Sequence, residues 1–322
     1  MKARALGLFL LRRFVGLAVL LVIISFLVFS LLYFAPGNLV DILMGTGEKS
    51  AATVAAVRAE YHLDLPFIQQ YLIWLLDALH LDFGRSIMLN VPVTDALAAR
   101  MPVTLFLGVY GFIVSVIAGL VLGSAAALKR GTSIDRGAVG LAVFGVSAPT
   151  FATGLILLWV FAIQLGMFPV IGAGDNSFSD RLWHLTLPAI ALGITGTALM
   201  TKMTRAALIA SYDMDYVNFA RSRGVSPMRI HFSYALRNSL VPIVTAAGLV
   251  LTATLTGSVL IEVTFSLPGV GTLLISSINN KDIPVVQGTT ILVAVLVVII
   301  NLLIDLSYFV IDPRTRAKGA LE

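Results

Sequence analysis

Long stretches without any Asp, Glu, Lys or Arg alternate along the chain with short charged segments. A helix needs about 20 apolar residues to cross a bilayer, because the hydrocarbon core is about 30 Å thick and a helix rises about 1.5 Å per residue. Six stretches reach that length, at residues 14–40, 101–128, 137–174, 182–201, 238–261 and 283–304. Turn signals at Pro36-Gly37 and Pro169 shorten two of them. The pattern predicts six transmembrane helices, and the third stretch is expected to hold one helix followed by a loop.

The composition supports an integral membrane protein. Hydrophobic residues make up 58% of the chain and charged residues only 12%, whereas soluble domains carry about 25% charged residues. A β-barrel is disfavoured, because its strands would be about ten residues of alternating polarity. The first apolar stretch exceeds the usual core of a signal peptide, so it is expected to stay as an anchor. The absence of cysteine excludes disulfides, zinc–cysteine sites and thiol catalysis.

Positive charge is distributed unequally between the two sides of the predicted membrane domain. When loops are assigned to alternate sides, sixteen of the 22 Lys and Arg residues fall on the side of both termini. Three of them lie in the short loop 129–136 and six in residues 202–237. Short loops rich in Lys and Arg are typically cytoplasmic. Both termini and the 202–237 segment are therefore predicted to be cytoplasmic, and residues 36–102 to form a large extracytoplasmic loop.

This extracytoplasmic loop contains an amphipathic stretch after Pro66. Apolar residues recur there at spacings of three and four, which predicts a helix with one apolar stripe. The stripe consists of Ile68, Tyr71, Leu72, Leu75, Leu76 and Leu79. The helix is expected to pack on the spanning helices, to lie on the outer membrane surface, or to do both.

The sequence contains no catalytic or nucleotide-binding motif. The four histidines form no His-Glu-x-x-His motif, and the segment GTGEKS at 45–50 does not satisfy the phosphate-loop pattern. No G-x-S-x-G nucleophile elbow occurs. Asp305 is the single candidate for an ion-coupling carboxylate in a predicted membrane segment, and a snorkelling or structural role fits it better. The chain is thus predicted to be a pathway whose energy comes from another subunit.

The segment DYVNFARSRGVSPMRIHFSYALRN, residues 215–238, is basic and lies between two apolar stretches. It predicts two short helices separated by a turn. The first is capped by Ser211 or Asp213 and ends at Gly224, a residue suited to the left-handed position after a helix. The second has Ser226 as N-cap and Pro227 at its first position, where a missing N–H costs nothing.

Each of these predicted helices has an apolar face. On the first helix, one side carries Tyr212, Tyr216, Phe219 and Ala220. On the second, the apolar stripe is Met228, Phe232, Ala235 and Leu236, and another face carries Arg229, Ser233 and Arg237. Such helices can dock in a groove of another protein, or lie on the inner leaflet with arginines on anionic head groups. Two helices divided by a glycine favour docking in a protein groove over binding to the membrane surface.

The segment resembles the cytoplasmic EAA loop of ABC-importer permeases, in the form typical of the dipeptide/oligopeptide (peptide/nickel) family. In the general motif, Glu-Ala-Ala is followed by three residues and Gly. Here Asn218, Phe219, Ala220 and Gly224 occupy the corresponding positions, so the Glu and the first Ala are absent. The resemblance covers nearly the whole chain, in the order FLLRRF, APGN, YHLDLPFIQQYLIWL, LDFGRSI, VPVTDALAARMPVTL, ALRNSLVPIV, FSLPGVGTLL, KDIPVVQG and DPRTR.

The resemblance implies an all-α integral membrane protein with six transmembrane helices and the type I ABC-importer permease fold. Residues 1–322 would form one permease domain in a bacterial or archaeal cytoplasmic membrane. The implied partners are a second homologous permease, two ATP-binding domains, separate or fused, and an extracytoplasmic solute-binding protein, with no nucleic acid. ATP and Mg²⁺ would be bound by the partner ATPase, and this non-catalytic chain would bind no metal or cofactor itself.

The resemblance also implies two contact regions. Residues 204–239 would be the coupling loop, touching the ATPase through Asp215, Asn218, Phe219, Ala220, Arg221, Gly224, Val225, Pro227 and Arg229. The outer loops 41–100 and 263–285 would receive the binding protein, with Pro268, Gly269 and Asp282 as docking residues. The expected function is half of the translocation pathway of an ATP-driven importer for di- or oligopeptides, with nickel or another substrate still open. The alternative is a stand-alone secondary transporter or channel.

Overall fold

A computed structural model describes residues 2–34, 40, 44, 50–175 and 177–311. Its helices are α1 (Lys2–Phe34), α2 (Ala51–Glu60), α3 (Phe67–Leu79), α4 (Val93–Leu128), α5 (Ser133–Ser147), α6 (Thr150–Leu157), α7 (Phe178–Tyr212), α8 (Asp215–Ser222), α9 (Pro227–Arg229), α10 (Leu240–Thr264), α11 (Val270–Asn279) and α12 (Ile283–Ile311). Helix α6 continues as a π-helix over Leu158–Gln164, and α9 over Ile230–Leu236. The predicted all-α class is confirmed. The Pro36-Gly37 turn, residues 45–49 of GTGEKS and the DPRTR block lie outside the described residues.

Five described helices are long and apolar enough to cross a membrane, and a bent pair of helices supplies a sixth span. The five spans are Arg12–Ser30, Val93–Leu128, Phe178–Tyr212, Leu240–Thr264 and Ile283–Ser307. They correspond to the first, second, fourth, fifth and sixth charge-free stretches of the sequence. The prediction of six spans is therefore confirmed when the bent pair is counted as one.

The third charge-free stretch differs from its prediction, because it holds two helices instead of one. Ser133–Ser147 and Thr150–Gln164 are bent by 106° at the break between them. Pro149 causes the break, since proline lacks an N–H and disfavours a helical conformation in the residue before it. Ala148 accordingly has an extended backbone, with ψ of 127°. The expectation of a single helix here was wrong.

The chain divides into two compact units, one containing Val103–Leu267 and the other Leu8–Pro102 with Pro268–Val298. In the first unit, α4 packs against α7 through a row of small residues spaced four apart. The row is Gly111, Ser115, Gly119 and Gly123. A Cβ atom added to Gly119 would lie 2.2 Å from Met200 Cβ, and Ser115 Oγ donates a hydrogen bond of 3.0 Å to the Gly193 carbonyl. Small residues allow membrane helices to approach this closely.

Two buried carboxylates in the first unit are held by neighbouring side chains. Glu262, near the end of α10, accepts a 2.7 Å hydrogen bond from Thr104 Oγ1. Asp135, at the start of α5, accepts hydrogen bonds from the guanidinium of Arg205 on α7. A buried carboxylate must be paired or hydrogen-bonded to be tolerated, so these contacts fix the helices that carry them.

In the second unit, α3 lies along the later half of α1. Tyr71 Oη and Ser25 Oγ are 2.9 Å apart, and the Tyr71 and Phe26 rings meet edge to face at 5.2 Å. Ser25 belongs to the span Arg12–Ser30, so α3 packs on a spanning helix, as one of the sequence alternatives expected. The predicted apolar stripe does not pack as a whole. Tyr71 is buried, whereas Ile68, Leu72, Leu76 and Leu79 are exposed.

A cluster of buried apolar residues in the second unit surrounds the start of α4. Its buried residues are Val93, Ala96, Leu97, Val270, Leu273 and Val285. They come from α4, α11 and α12, which are distant in sequence. Burying them removes roughly 25 cal/mol of unfavourable hydration per Å² of apolar surface, and this holds the first turns of α11 and α12 next to α4.

Candidate functional site

The basic segment begins with α8, whose start differs from the predicted caps. The N-cap is Met214 in an extended conformation, with no side-chain capping bond. Asp213 instead caps the end of α7, and Ser211 lies in the last turn of α7, with its Oγ 2.7 Å from Tyr216 Oη. Both predicted caps were wrong because α7 continues to Tyr212 and α8 begins only at Asp215. Asp215 lies in the first turn of α8, where its negative charge interacts favourably with the positive end of the helix dipole.

Helix α8 ends at Gly224 in the manner that its sequence predicted. Gly224 has φ of +75°, a left-handed conformation that costs other L-residues about 1–2 kcal/mol. Its N–H donates to the Arg221 carbonyl at 3.0 Å, and the Val225 N–H donates to the Ala220 carbonyl at 3.1 Å. These two bonds form a Schellman motif. The turn after α8 is therefore specified by glycine and fully hydrogen-bonded.

The second helix of the basic segment begins at the predicted residues, but it then changes from an α-helix to a π-helix. Ser226 is the N-cap and Pro227 occupies the first turn. From Ile230 onward the backbone is π-helical, so the hydrogen bonds span five residues instead of four. The buried positions are consequently Ile230, His231 and Ala235. The predicted stripe was wrong in part, since Met228 and Phe232 are exposed and only its later members pack inward.

A small apolar cluster joins α8 to the second helix. Val217, Ala220 and Ile230 are buried together, and Val225 packs against them. Val217 and Ala220 are one turn apart on α8, so they face the same side. The prediction that Phe219 and Ala220 share one face of this helix was therefore wrong, because Phe219 is exposed whereas Ala220 is buried in the cluster. The two helices and their glycine turn form one packed piece.

The two helices also carry large apolar side chains that are exposed. Phe219 is 63% exposed, Met228 65% and Phe232 57%. The guanidinium of Arg223 lies 5.2 Å from the centre of the Phe219 ring, within the range of a cation–π contact. Exposed apolar residues with interspersed charge are typical of a protein contact surface. We call Phe219, Met228 and Phe232 the apolar tip.

The structure places the predicted coupling residues in two groups. The exposed group is Asp215, Asn218, Phe219, Arg221, Gly224, Pro227 and Arg229. The second group, Ala220 and Val225, lies within the cluster that holds the two helices together. The first group is able to touch a partner directly, whereas the second group sets the shape of the surface.

A contact that is not apparent from the sequence ties the basic segment to α7. Tyr212 Oη and His231 Nδ1 are 2.6 Å apart, and His231 is buried. Burial lowers the pKa of His231 below its ordinary value of 6.5, which favours the neutral imidazole. The guanidinium of Arg221 lies 6.0 Å from the centre of the Tyr212 ring. The signal in the sequence is weak, because a tyrosine and a histidine 19 residues apart have no characteristic spacing.

The predicted docking residues of the second unit do not all reach the surface. Pro268 is exposed and Gly269 is the buried N-cap of α11. Asp282 is only 1% exposed, and its carboxylate accepts hydrogen bonds from Ser86 Oγ at 2.5 Å and from the Ile87 and Met88 N–H groups at 3.2 Å. Asp282 therefore positions the 86–88 loop and cannot itself be a contact residue for a partner.

In the part of the chain that the structure describes, no group of three His, Asp or Glu side chains is arranged to hold a metal ion. The basic segment offers guanidinium groups, apolar side chains and free helix surfaces. Such an arrangement is suited to recognition of another protein.

Two family models match the chain. Residues 119–317 match the binding-protein-dependent transport system inner membrane component, and residues 6–108 match the N-terminal part of the same kind of component. The first match contains the whole basic segment with α8 and its glycine turn. The second contains α1, α3 and the start of α4.

Relatives with assigned names are similar over almost their full length. A putative peptide transport system permease protein of Brucella abortus is 38% identical over 300 residues, covering 92% of this chain and 95% of the relative. The dipeptide transport system permease protein DppB is 36% identical in Bacillus subtilis, over 96% of this chain and 97% of that protein. In Escherichia coli K12 it is also 36% identical, over 96% and 99%.

A solved structure supports the fold. An inward-facing conformation of the MetNI methionine ABC transporter contains a chain that superposes with a TM-score of 0.54 at 18% identity. The match covers 67% of this chain and 96% of that one. The permease architecture expected of a type I importer is thereby confirmed.

Proposed function

Because the chain belongs to the family of binding-protein-dependent transport system inner membrane components, we propose that it forms half of the pathway of an ATP-driven peptide importer. The protein is a multi-pass inner-membrane permease of such a system. Peptides are favoured as substrate by the names of relatives that are 36–38% identical over at least 92% of this chain.

The observation that carries the proposal is the apolar tip. Three large apolar side chains stand exposed on a segment that is internally packed and hydrogen-bonded. A short helix with exposed anchors fits a complementary groove, and the groove proposed here belongs to a partner ATP-binding domain. The excess of Lys and Arg supports a cytoplasmic location for this segment and both termini, on the side where ATP is available. The 36–102 loop then lies outside the cytoplasm and faces a solute-binding protein.

The proposed coupling route runs from the apolar tip into α7. The tip is carried by α8 and the second helix, which the Val217–Ala220–Ile230 cluster packs together. The Tyr212–His231 contact ties that piece to the last residue of α7. A displacement of the ATPase groove would therefore be passed to α7 through these contacts. A second homologous permease would respond in the same way across the pathway.

Uptake by the reconstituted transporter tests the proposal. Gly224→Pro removes the left-handed turn, since proline fixes φ near −65°. Ala220→Asp places a carboxylate among Val217, Val225 and Ile230, where it finds no partner. Both variants are expected to insert in the membrane normally and to reduce ATP-dependent uptake of a labelled dipeptide to background.

The control is Ser222→Ala, an exposed position on the same helix. Its uptake is expected to equal that of the unmodified protein. Unchanged uptake in both Gly224→Pro and Ala220→Asp would refute coupling through this segment. Dipeptide uptake driven by an ion gradient in vesicles that hold only this chain would instead support a stand-alone carrier.

A further inference from the structure

The second unit contains a cavity of about 210 Å³ at the end of α3. We call it the Asp77–Gln287 cavity. Its walls include Phe29, Tyr61, Trp74, Asp77, Asp82 and Gln287. An engineered cavity of about 150 Å³ accepts benzene. This space is therefore large enough for one amino-acid-sized group but too small for a folded segment of another protein.

The charge around the cavity is negative. Asp77 and Asp82 lie on its wall together with His62, and the described residues that line it include neither lysine nor arginine. The Asp82 N–H donates to the Asp77 carbonyl at 2.9 Å, which keeps the two residues adjacent. The C-terminal end of α3 lies at the same place, and a helix C-terminus carries a partial negative charge. The cavity is thus suited to a cationic group.

A buried amide in the cavity wall has an unused acceptor. Gln287 is only 5% exposed, and its Nε2 makes one long contact of 3.5 Å to the Val28 carbonyl. No hydrogen-bond donor in the described part of the chain reaches Gln287 Oε1. This oxygen is accessible rather than enclosed, so it remains able to accept a hydrogen bond. A ligand that carries N–H groups would satisfy this oxygen.

The aromatic walls distinguish an organic cation from a metal ion. Phe29, Tyr61 and Trp74 line the cavity, and aromatic faces attract ammonium groups. A hard metal ion such as Ca²⁺ prefers a shell of six to eight oxygen ligands, whereas this wall combines two carboxylates and two amides with aromatic rings. The wall combines acceptors and rings in the way that suits a primary ammonium group.

We propose that the Asp77–Gln287 cavity binds the α-ammonium group of a peptide before the peptide enters the pathway. This inference rests on the proposed function, because that function supplies the peptide and places α3 on the extracytoplasmic side. In this arrangement the carboxylates pair with the ammonium, and Gln287 Oε1 accepts one of its N–H bonds. The aromatic rings enclose the first residue of the peptide.

Trp74 serves as a reporter of binding. The chain has three tryptophans, so Trp159→Phe with Trp183→Phe leaves Trp74 alone. The full chain in lipid nanodiscs is titrated with L-alanyl-L-alanine and, separately, with N-acetyl-L-alanyl-L-alanine. The free dipeptide is expected to shift the Trp74 emission in a saturable way, while the acetylated dipeptide leaves it unchanged. An equal response to both, or no response to either, overturns the proposal.

Variants identify the groups that hold the ammonium. Asp77→Asn, Asp82→Asn and Gln287→Leu are each expected to weaken the dipeptide response about fivefold. Asp64→Asn is the matched control, since Asp64 is an exposed carboxylate of the same region that pairs with Arg58 at 3.9 Å. Its response is expected to be unchanged. Thermal unfolding of each variant confirms that it is folded, and equal binding in Asp77→Asn and the unmodified chain contradicts the assignment.

Uptake separates this proposal from the proposed function. The assembled transporter is assayed for ATP-dependent uptake of the same labelled L-alanyl-L-alanine. Uptake without a Trp74 response means that the cavity proposal fails and the function stands. A Trp74 response without uptake means that the site exists and the proposed transport function fails.

Discussion

Arg205 donates two hydrogen bonds to the carboxylate of Asp135, at 2.5 Å and 2.8 Å, across 70 residues of sequence. Asp135 also accepts the Gly131 N–H at 2.9 Å. These bonds attach the loop after α4 to α7, the helix that leads into the basic segment. A second ion pair nearby, Arg130 with Asp213 at 3.3 Å, is largely exposed. The two pairs therefore offer a comparison between an enclosed and an exposed contact.

Asp135→Asn is expected to lower the apparent Tm of the detergent-solubilised protein by at least about 3 °C. The substitution leaves the Arg205 guanidinium in its partly buried place without a counter-charge. Asp213→Asn removes the exposed pair and is expected to change the apparent Tm by less than about 1 °C, because exposed ion pairs contribute little. Equal shifts in the two variants would contradict the distinction.

Gly119→Ala tests the close approach of α4 and α7. The added methyl group would lie 2.2 Å from Met200 Cβ, so the helices must separate, and overpacking of this kind costs about 1–3 kcal/mol. A lower apparent Tm is expected. Gly140→Ala is the control, since nothing lies within 4 Å of a Cβ there. A normal Tm for Gly119→Ala would mean that the two helices do not need this contact.

The spans could be predicted from the sequence because every helix that crosses the bilayer needs an uncharged stretch of sufficient length. A run of about 20 residues without charge is sufficient evidence for a spanning helix. The exception is the third stretch, where the break at Ala148-Pro149 depends on a single proline. Prolines within α4 and α7, at Pro102 and Pro188, leave those helices continuous, so a proline alone does not predict a break.

The turn within the basic segment could be predicted from the sequence. Which side chains of its two helices are buried could be predicted less well. Gly224, Ser226 and Pro227 act through their own backbone geometry, and their roles were readable without any neighbour. The faces depend on contacts that the sequence does not contain. The π-helical register after Ile230 shifts which residues are buried, and Asp282 is buried by a loop 196 residues away.

The pH dependence of stability tests the burial of His231. Because burial lowers the pKa of His231, its neutral form stabilises the fold above pH 6.5. This contribution is lost as the pH falls below 6.5 and through the lower pKa of the folded state. The double variant Tyr212→Phe with His231→Phe removes both partners of the hydrogen bond. Its apparent Tm is expected to fall less than that of the unmodified protein between pH 7.5 and pH 5.5, whereas parallel curves would contradict the assignment.

Asp282→Ala tests the role of Asp282 in holding the 86–88 loop. The change removes the acceptor of hydrogen bonds from Ser86, Ile87 and Met88. Hydrogen exchange of the Ile87 and Met88 amides is expected to become at least about tenfold faster. Asn280→Ala, at an exposed position close by, should leave these amides as they are. Unchanged exchange in Asp282→Ala would show that the loop is held by other contacts.

The most direct test of the account is a cross-link between the apolar tip and a partner ATPase. The chain has no cysteine, so Phe219→Cys introduces a unique thiol at the tip and Lys281→Cys places one at an exposed position in the second unit. Each variant is assembled with its transporter and treated with a short thiol-to-amine cross-linker. We predict an adduct that contains the ATP-binding subunit for Phe219→Cys and none for Lys281→Cys. Absence of that adduct for Phe219→Cys, in a complex that still hydrolyses ATP and imports the dipeptide, would contradict coupling through this segment.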